Sequence, residues 1–314
     1  VHFDPETCPA VCLMGPTASG KTALAVELVK RLPMDIINVD SAQIYRDMDI
    51  GTGKPDAATL AIAPHRLFDF LDPALSYSAA QFCQDAVSEM AQIRRAGRVP
   101  LLVGGTMLYF KALRDGLAVM PPANQQIRDE ITLLAQKSGW DAVHAELADV
   151  DPASAARIHP NDPQRLQRAM EVYRLTGQTM TALHEQANRG ASKENLLFLS
   201  IQPSARSVLH SKIARRFHLM LEQGFVAEVE QLYRRGDLNV AMPSIRCVGY
   251  RQIWQFLAGE IRYDEMVERG IIATRQLAKR QVTWLRSWEN ALNFDSERDD
   301  TMDSVLKYLQ TVSM

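Results

Sequence analysis

The stretch Gly15-Pro16-Thr17-Ala18-Ser19-Gly20-Lys21-Thr22 fits the spacing G-x-x-x-x-G-K-[ST] at every fixed position. An apolar run, Ala10 to Met14, leads into it, and a helix-forming run, Ala23 to Leu32, follows. This strand–loop–helix context is what a P-loop requires. Its glycines let the backbone curl so that several N–H groups point at one anion. The following helix adds partial positive charge at its N-terminus. The whole loop, from Gly15 through Pro16, Thr17, Ala18, Ser19 and Gly20, is expected to cradle a di- or triphosphate. Lys21 reaches the outer phosphate and Thr22 holds a divalent metal.

A P-loop also constrains the fold, because it belongs to parallel sheets. Strands are expected at Ala10–Met14, Asp35–Val39, Arg66–Phe70 and Val99–Val103, with helical stretches at Ala23–Leu32 and Ser78–Ala96 between them. Short apolar runs alternating with amphipathic helices imply an α/β fold: a parallel sheet with helices on both faces. After Gly116 the texture changes. Met120-Pro121-Pro122-Ala123-Asn124 breaks the alternation, and from Gln125 to about Ala187 only helix signals occur. One of these helices is well delimited: Asn161 or Asp162 caps it, Pro163 is its first residue, and Thr176-Gly177 ends it. Strand character returns at Asn195–Ile201, long helices follow, and Ala291–Asp295 reads as a last strand. The expected organisation is a P-loop catalytic core, 1–117 and 195–314, interrupted by an all-helical insertion domain, 118–194.

Composition narrows the class. The 314 residues, 46% hydrophobic and 23% charged, are ordinary for a soluble globular protein. No apolar run approaches the ~18–20 residues of a membrane span. The opening segment, His2 to Pro9, is polar and does not read as a signal peptide; the chain starts at Val1, so the native start is expected upstream. Cys8, Cys12, Cys83 and Cys247 have no metal-ligand or redox spacing and read as reduced thiols, so a cytoplasmic location is expected. The net charge of −2 announces no nucleic-acid partner. Yet Arg269, Arg275, Lys279, Arg280 and Arg286 fall in a run without a single acid, offset by Glu297, Asp299, Asp300 and Asp303. A near-neutral chain can hide a basic groove.

Three further signals concern chemistry. Asp40 falls just past the carboxyl end of the second strand, the edge at which open α/β sheets bind ligands. It serves either as a turn or cap residue, or as a carboxylate that takes a proton from a nucleophile or holds metal with Thr22. The strand Leu101–Val103 ends in Gly104-Gly105-Thr106, where a P-loop hydrolase would place a metal-holding Asp. That weakens an ATPase or GTPase reading. Thr106 offers a hydroxyl near a phosphate ester, while Gly104 and Gly105 either allow a close backbone approach or simply make a turn. Arg216 falls inside an apolar stripe of Leu209, Ile213 and Met220. It either snorkels past a core edge or aims its guanidinium at phosphates, since burying it alone is costly.

These pieces resemble one family, the bacterial tRNA dimethylallyltransferases, or isopentenyl-tRNA transferases. The resemblance rests on GPTASGKT (15–22), VDSAQIYRDMDIGTGKP (39–55), PLLVGGTMLYFKAL (100–113), IHPNDPQRLQRAMEVYRLTG (158–177), PSIRCVGYRQIW (243–254) and ATRQLAKRQVTWLR (273–286). It covers nearly the whole chain except the termini. It implies transfer of the dimethylallyl group of dimethylallyl diphosphate to N6 of the adenine just 3′ of the anticodon, in tRNAs reading codons that begin with U, with loss of pyrophosphate and with Mg2+ as cofactor. By the same resemblance Asp40 is the general base, Thr106 contacts the bridging oxygen of the leaving group and Arg216 contacts pyrophosphate. The tRNA-binding set it implies comprises Asp40, Ser41, Ala42, Gln43, Thr106, Arg128, Gln164, Arg165, Leu166, Gln167, Arg168, Arg246, Cys247, Val248, Gly249, Tyr250, Arg275, Lys279, Arg280 and Arg286. The partner is the anticodon stem-loop, no membrane is involved, and the protein is expected to be a monomer.

The residues themselves speak to RNA less sharply. Arg165 and Arg168 lie one turn apart beside Gln164, and Arg275, Lys279 and Arg286 form one stripe, with Arg269 and Arg280 opposite. Either set is also consistent with a solvated face. A flipped-out target base needs exposed aromatic or guanidinium faces to hold its neighbours, and Tyr250 and Arg246, in a loop-like segment, are candidates. Cys247 reads as a packing residue, having no neighbouring His to activate it. Two other functions share the P-loop. A small-molecule kinase using ATP would explain Lys21, Thr22 and Asp40, but not the insertion or the basic segments. A non-catalytic RNA-binding protein with a nucleotide switch would need an NKxD-type element, which is lacking.

Overall fold

In a computed structural model of the chain, the described residues are 8–118, 120–187 and 194–312. The opening segment His2 to Pro9, read above as polar, therefore lies mostly outside them. The chain divides into two compact units, Val1–Lys111 with Glu194–Met314, and Ala112–Lys193.

The first unit is built on strands β1 (Ala10–Met14), β2 (Met34–Val39), β3 (His65–Arg66), β4 (Val99–Gly104), β5 (Leu196–Gln202) and β6 (Leu292–Asp295), in the order β3-β2-β4-β1-β5-β6. Every pairing is parallel. Helices α1 (Lys21–Arg31), α2 (Ala57–Ile62), α3 (Ala79–Arg95) and α4 (Met107–Asp115) occupy its first half. The division between the units falls within α4, whereas the change in sequence texture comes only where that helix has ended, at Gly116. The third strand is two residues long, not the five expected, because Leu67 and Asp69 take left-handed backbone (φ 52 and 56). Those conformations cannot continue a strand.

Alternation along the strands decides which residues meet which helices. Val11, Leu13, Ile36, Leu101, Val103, Leu199 and Ile201 share one face. There they pack with Leu24, Ala25 and Leu28 of α1 and with Val305 and Leu309 of a C-terminal helix, Thr301–Thr311. Phe198 points to the other face, where it meets Trp288 at 5.2 Å. Helix α3 is fixed at its start by a capping box in which Ser78 and Gln81 satisfy each other's backbone N–H.

The second unit holds α5 (Gln125–Ser138), α6 (Trp140–Val150), α7 (Pro152–Arg157), α8 (Pro163–Thr176) and α9 (Met180–Ala187) around Ile131, Val143, Leu147, Leu166 and Met170. Of the two cap candidates for α8, Asp162 is the one used: its carboxylate accepts the Arg165 N–H at 3.2 Å. Gly177, at φ 68, ends the helix.

Returning to the first unit, α10 (Arg206–Glu222), α11 (Phe225–Arg234), α12 (Tyr250–Leu257), α13 (Tyr263–Arg286) and α14 (Thr301–Thr311) complete it. Phe217, Phe225, Val229, Tyr250, Ile253 and Met266 form a second core with Ile44, Tyr45 and Met48. No described helix is long and apolar enough to cross a membrane.

Candidate active site

Three strand ends lie side by side, because β4 sits between β1 and β2 with Gly104 in register with both Met14 and Val39. Each strand runs into a loop that carries a candidate group: the P-loop after β1, Asp40 after β2, and Gly105-Thr106 after β4. The loops wall a cavity of about 510 Å³. From the P-loop come Thr17, Ala18, Lys21 and Thr22, and from the second loop Asp40, Ser41, Ala42 and Gln43. Thr106, Arg216, Arg246, Cys247, Val248, Tyr250 and Arg280 line it as well. A second cavity, about 710 Å³, takes in Ser19 and Gly20 and shares Lys21, Thr22 and Arg216 with the first.

Gly20, at φ +86, is the left-handed residue that turns the loop into α1. Gly15 has no room for a side chain: a Cβ would lie 2.5 Å from the Ile201 carbonyl. The two glycines at the end of β4, Gly104 and Gly105, are also explained by close approach, not by a left-handed turn. A Cβ on Gly104 would lie 1.9 Å from the Val39 carbonyl, and one on Gly105 2.4 Å from Nε2 of Gln281.

Lys21 Nζ donates to the Pro16 carbonyl at 3.0 Å. Burial lowers its pKa to about 8; the charge of Asp40 opposes the shift and that of Arg216 adds to it. Burial likewise lowers Arg216, again opposed by Asp40. Lys21 and Arg216 therefore both lie within the field of Asp40, and Lys21 within that of Arg216. The Arg216 guanidinium makes no hydrogen bond among the described residues. It lies over Gly53, where a Cβ would meet Nη2 at 1.8 Å. Two cations facing one carboxylate leave an excess of positive charge suited to an anion.

Asp40 holds its own loop: Oδ1 accepts the Ala42 N–H at 2.9 Å. Thr106 Oγ1 accepts the Ser41 N–H at 3.0 Å and donates to Ser41 Oγ at 3.3 Å. Gln43 Nε2 donates to the carbonyls of Thr52 and Gly53, which leaves its side-chain oxygen as an acceptor. The Cys247 thiol is pushed up to about 12, first by burial and then by the Asp40 charge, so it stays protonated near neutral pH.

Two residues that the sequence reading missed hold these loops. Glu228 accepts the backbone N–H groups of Asp49, Ile50 and Gly51 at 2.9, 2.6 and 3.1 Å, and the Tyr250 hydroxyl at 2.5 Å. Gln281 is the other, and links two of the loops directly. Nothing in their local sequence signals this, since their partners in the loops lie more than 170 residues away.

The expected exposed face of Tyr250 is not there. Its ring is buried against Phe225, 5.0 Å away, and its hydroxyl is engaged by Glu228. It supports the cavity and offers no stacking surface. Gly249, at φ +90, caps α12, and the close approach of Phe225 leaves no room for a side chain. On α13 the basic residues differ in environment. Lys279, Arg280 and Arg286 are exposed, and Arg280 reaches the cavity. Arg275 is half-buried, its Nε without a hydrogen-bond partner among the described residues, and Arg269 is paired with Glu265 at 2.6 Å.

In the second unit, Leu166 is fully buried in the core, so its side chain is closed to any partner. Gln167 donates to the Arg128 carbonyl and to Thr132. Arg165 is exposed and lies 3.4 Å from Asp162. Arg128 and Arg168 are held by Glu171, a fully buried carboxylate that also accepts the Asn124 N–H at 2.7 Å. Burial raises the Glu171 pKa, but the hydrogen bonds from Arg128, Arg168 and Asn124 outweigh it and hold the carboxyl below its ordinary value. Its stabilising contribution is therefore full above the unfolded value of about 4.3 and is lost as pH falls through the depressed folded value. Glu171→Ala strands two guanidiniums and should destabilise this unit by about 3–5 kcal/mol at pH 7. Urea unfolding followed through Trp140 checks this, and a loss under 1 kcal/mol would show the triad to be incidental.

The sequence model of the IPP transferase family matches residues 43–288, and that of the isopentenyl transferases matches residues 9–69. This chain belongs to the IPP transferase family. Among solved structures it is similar to the full-length tRNA isopentenylpyrophosphate transferase of Bacillus halodurans, with 35% identity over 96% of this chain and 95% of that one, and a TM-score of 0.71. The tRNA delta(2)-isopentenylpyrophosphate transferase of Staphylococcus epidermidis is 31% identical over 98% and 100%, with a TM-score of 0.70. A eukaryotic dimethylallyltransferase acting on tRNA is 25% identical over 95% of this chain and 77% of that one, with a TM-score of 0.78. As a member of the IPP transferase family the chain is a prenyltransferase, and a kinase reading of its P-loop is set aside.

Proposed function

We propose that this enzyme transfers the dimethylallyl group of dimethylallyl diphosphate to N6 of the adenine 3′ of the anticodon, position 37, in tRNAs reading codons that begin with U. One observation carries the reading: in a chain of this family, a P-loop, two cations and a strand-end carboxylate wall a single cavity. The N6 lone pair forms a bond to C1 of the isoprenoid. The C1–O bond breaks, its electron pair leaves with pyrophosphate, and one N6 proton passes to Asp40. The P-loop amides, the N-terminus of α1, Lys21 and Arg216 hold the charge of the leaving group. Thr106 donates to its bridging oxygen. That hydroxyl has one proton, now turned to Ser41, so it must rotate to do so.

Thr22 and Asp40 bring hard oxygen donors to the cavity, and among the described residues no group of three or more His, Cys, Asp or Glu could hold a metal. Such a sparse donor set fits Mg2+, which keeps substrate phosphate oxygens and waters for most of its positions. Thr22 and Asp40 would hold the ion, which supplies charge neutralisation to the diphosphate when bound.

The anticodon stem-loop is gripped by both units of a monomeric enzyme, in the cytoplasm. Ser41, Ala42, Gln43, Arg246 and Val248 surround the target base. Lys279, Arg280, Arg286 and Arg275 on α13, with Gln164, Arg165, Gln167, Arg168 and Arg128 of the second unit, engage the backbone. Lys279→Ala, Arg286→Ala and Arg165→Ala test this without disturbing an ion pair in a core. Each should weaken tRNA binding and flatten the slope of log K against log salt by about 0.7–0.9. Affinity for dimethylallyl diphosphate should hardly change. Slopes identical to wild type in all three would make these residues a solvated face.

The activity itself is tested by incubating the enzyme with labelled dimethylallyl diphosphate and unmodified tRNA, in parallel with γ-labelled ATP. Label should enter RNA only from the isoprenoid. Transfer from ATP alone would contradict the proposal.

A further inference from the structure

Gln281 lies on α13, far in sequence from the strand ends, yet it touches two of the three loops that build the cavity. Its Oε1 accepts the Thr17 N–H of the P-loop at 2.9 Å, and its Nε2 donates to the Gly105 carbonyl at 2.9 Å. The residue is 8% exposed, and the bond to the Gly105 carbonyl is buried. Gly105 lacks a Cβ at the point where Gln281 approaches, and a Cβ there would also lie 3.2 Å from the Gly15 carbonyl.

A second contact from the same helix supports the same stretch of loop. Ala18, next to Thr17, takes left-handed backbone at φ 62, a conformation that a non-glycine residue adopts only under constraint from its surroundings. It packs against the cluster of Leu209, Ile213 and Ala278, against which Val282 packs too. Ala278 and Val282 flank Gln281 on α13. The P-loop apex is thus held by one carboxamide and one apolar contact from a single turn of that helix. The neighbouring Arg280 lines the cavity.

We propose that Gln281 is a positioning residue. It sets the P-loop apex against the Gly105-Thr106 loop, so that the cradle for the diphosphate and the hydroxyl facing its ester oxygen keep a fixed spacing. A primary carboxamide suits this task because it presents one acceptor and one donor in a fixed plane. The inference rests on the function proposed above for the roles of the P-loop and Thr106.

The test compares Gln281→Met, which keeps bulk and helix propensity but removes both bonds, with Gln281→Glu. A protonated glutamic acid restores an acceptor and a donor, whereas the carboxylate opposes the Gly105 carbonyl. Gln281→Met should weaken pyrophosphate binding about tenfold and lower kcat about 10–100-fold. Its tRNA affinity and salt slope should stay within twofold of wild type. The ratio of Gln281→Glu to wild-type transfer should rise as pH falls from 8 to 6, while the ratio for Gln281→Met stays flat. A residue that only stabilises the fold would give no such pH-dependent rescue. Gln281→Met transferring within threefold of wild type, losing tRNA affinity in proportion to rate, or a flat Gln281→Glu ratio would overturn the assignment. Pyrophosphate binding is read without the reaction. Failure of the wild type to prenylate tRNA would therefore count against the proposed function, and the pyrophosphate comparison would still decide Gln281.

Discussion

Replacing Asp40 with alanine or asparagine is expected to leave both substrates bound and to slow dimethylallyl transfer by about 10²–10⁴, the usual contribution of a general base. The asparagine variant is the sharper test. Its side-chain oxygen still accepts the Ala42 N–H that orders the loop, so the geometry after β2 survives while the proton acceptor is lost. Single-turnover transfer with saturating tRNA reads the chemical step alone. A rate within about threefold of wild type would remove Asp40 from the base role. The carboxylate would then act only as a loop residue or as a countercharge to Lys21 and Arg216.

The second large effect concerns those two cations. Lys21→Ala and Arg216→Ala should each reduce transfer by about 10²–10³, because each removes charge stabilisation from the same leaving group. A double-mutant cycle should show non-additivity, since Lys21 lies within the field of Arg216. Additive losses would mean that Arg216 points elsewhere. Thr106→Val should cost less, about 1–2 kcal/mol, because it removes no charge, only the hydroxyl's bond to the leaving group and the one it accepts from the Ser41 N–H. The pH dependence separates Lys21 from the rest. In the free protein its pKa is lowered to about 8, and a bound diphosphate favours the protonated form. Diphosphate affinity should therefore fall as pH rises through 8. Its own low pKa also means that the unfolded chain binds the extra proton between 8 and about 10.4, so the free protein should gain stability over that window. In Lys21→Met both effects should vanish, and calorimetric titration with pyrophosphate set against the wild-type profile checks the first.

Much of this site was legible in the chain because its parts are local. The P-loop is contiguous, Asp40 and Thr106 stand directly after apolar runs that could only be strands, and Arg216 interrupts a helical stripe. The parallel sheet followed from the same runs, apart from β3, which left-handed residues at Leu67 and Asp69 cut short. Local pattern carries no information about groups whose partners are distant backbone amides. Glu228 and Gln281 look like any polar residue on a helix until the fold brings loop N–H and C=O groups to them. Tyr250 misled for the converse reason. Its segment is rich in loop-forming residues, yet the ring is turned into the core by a carboxylate 22 residues earlier. The tie between Arg128 and Arg168 was hidden for the same reason: the carboxylate that binds both, Glu171, is buried on the same helix as Arg168.

The central claim is that the cavity joins the isoprenoid of its diphosphate substrate to an adenine of tRNA, with pyrophosphate leaving. The most direct measurement is nucleoside analysis of tRNA after reaction with labelled dimethylallyl diphosphate, using one substrate with adenine at position 37 and one with guanine there. The account predicts label in N6-dimethylallyladenosine from the first, none from the second, and one pyrophosphate released per label incorporated. Label at another nucleotide, or pyrophosphate release without label in RNA, would contradict it.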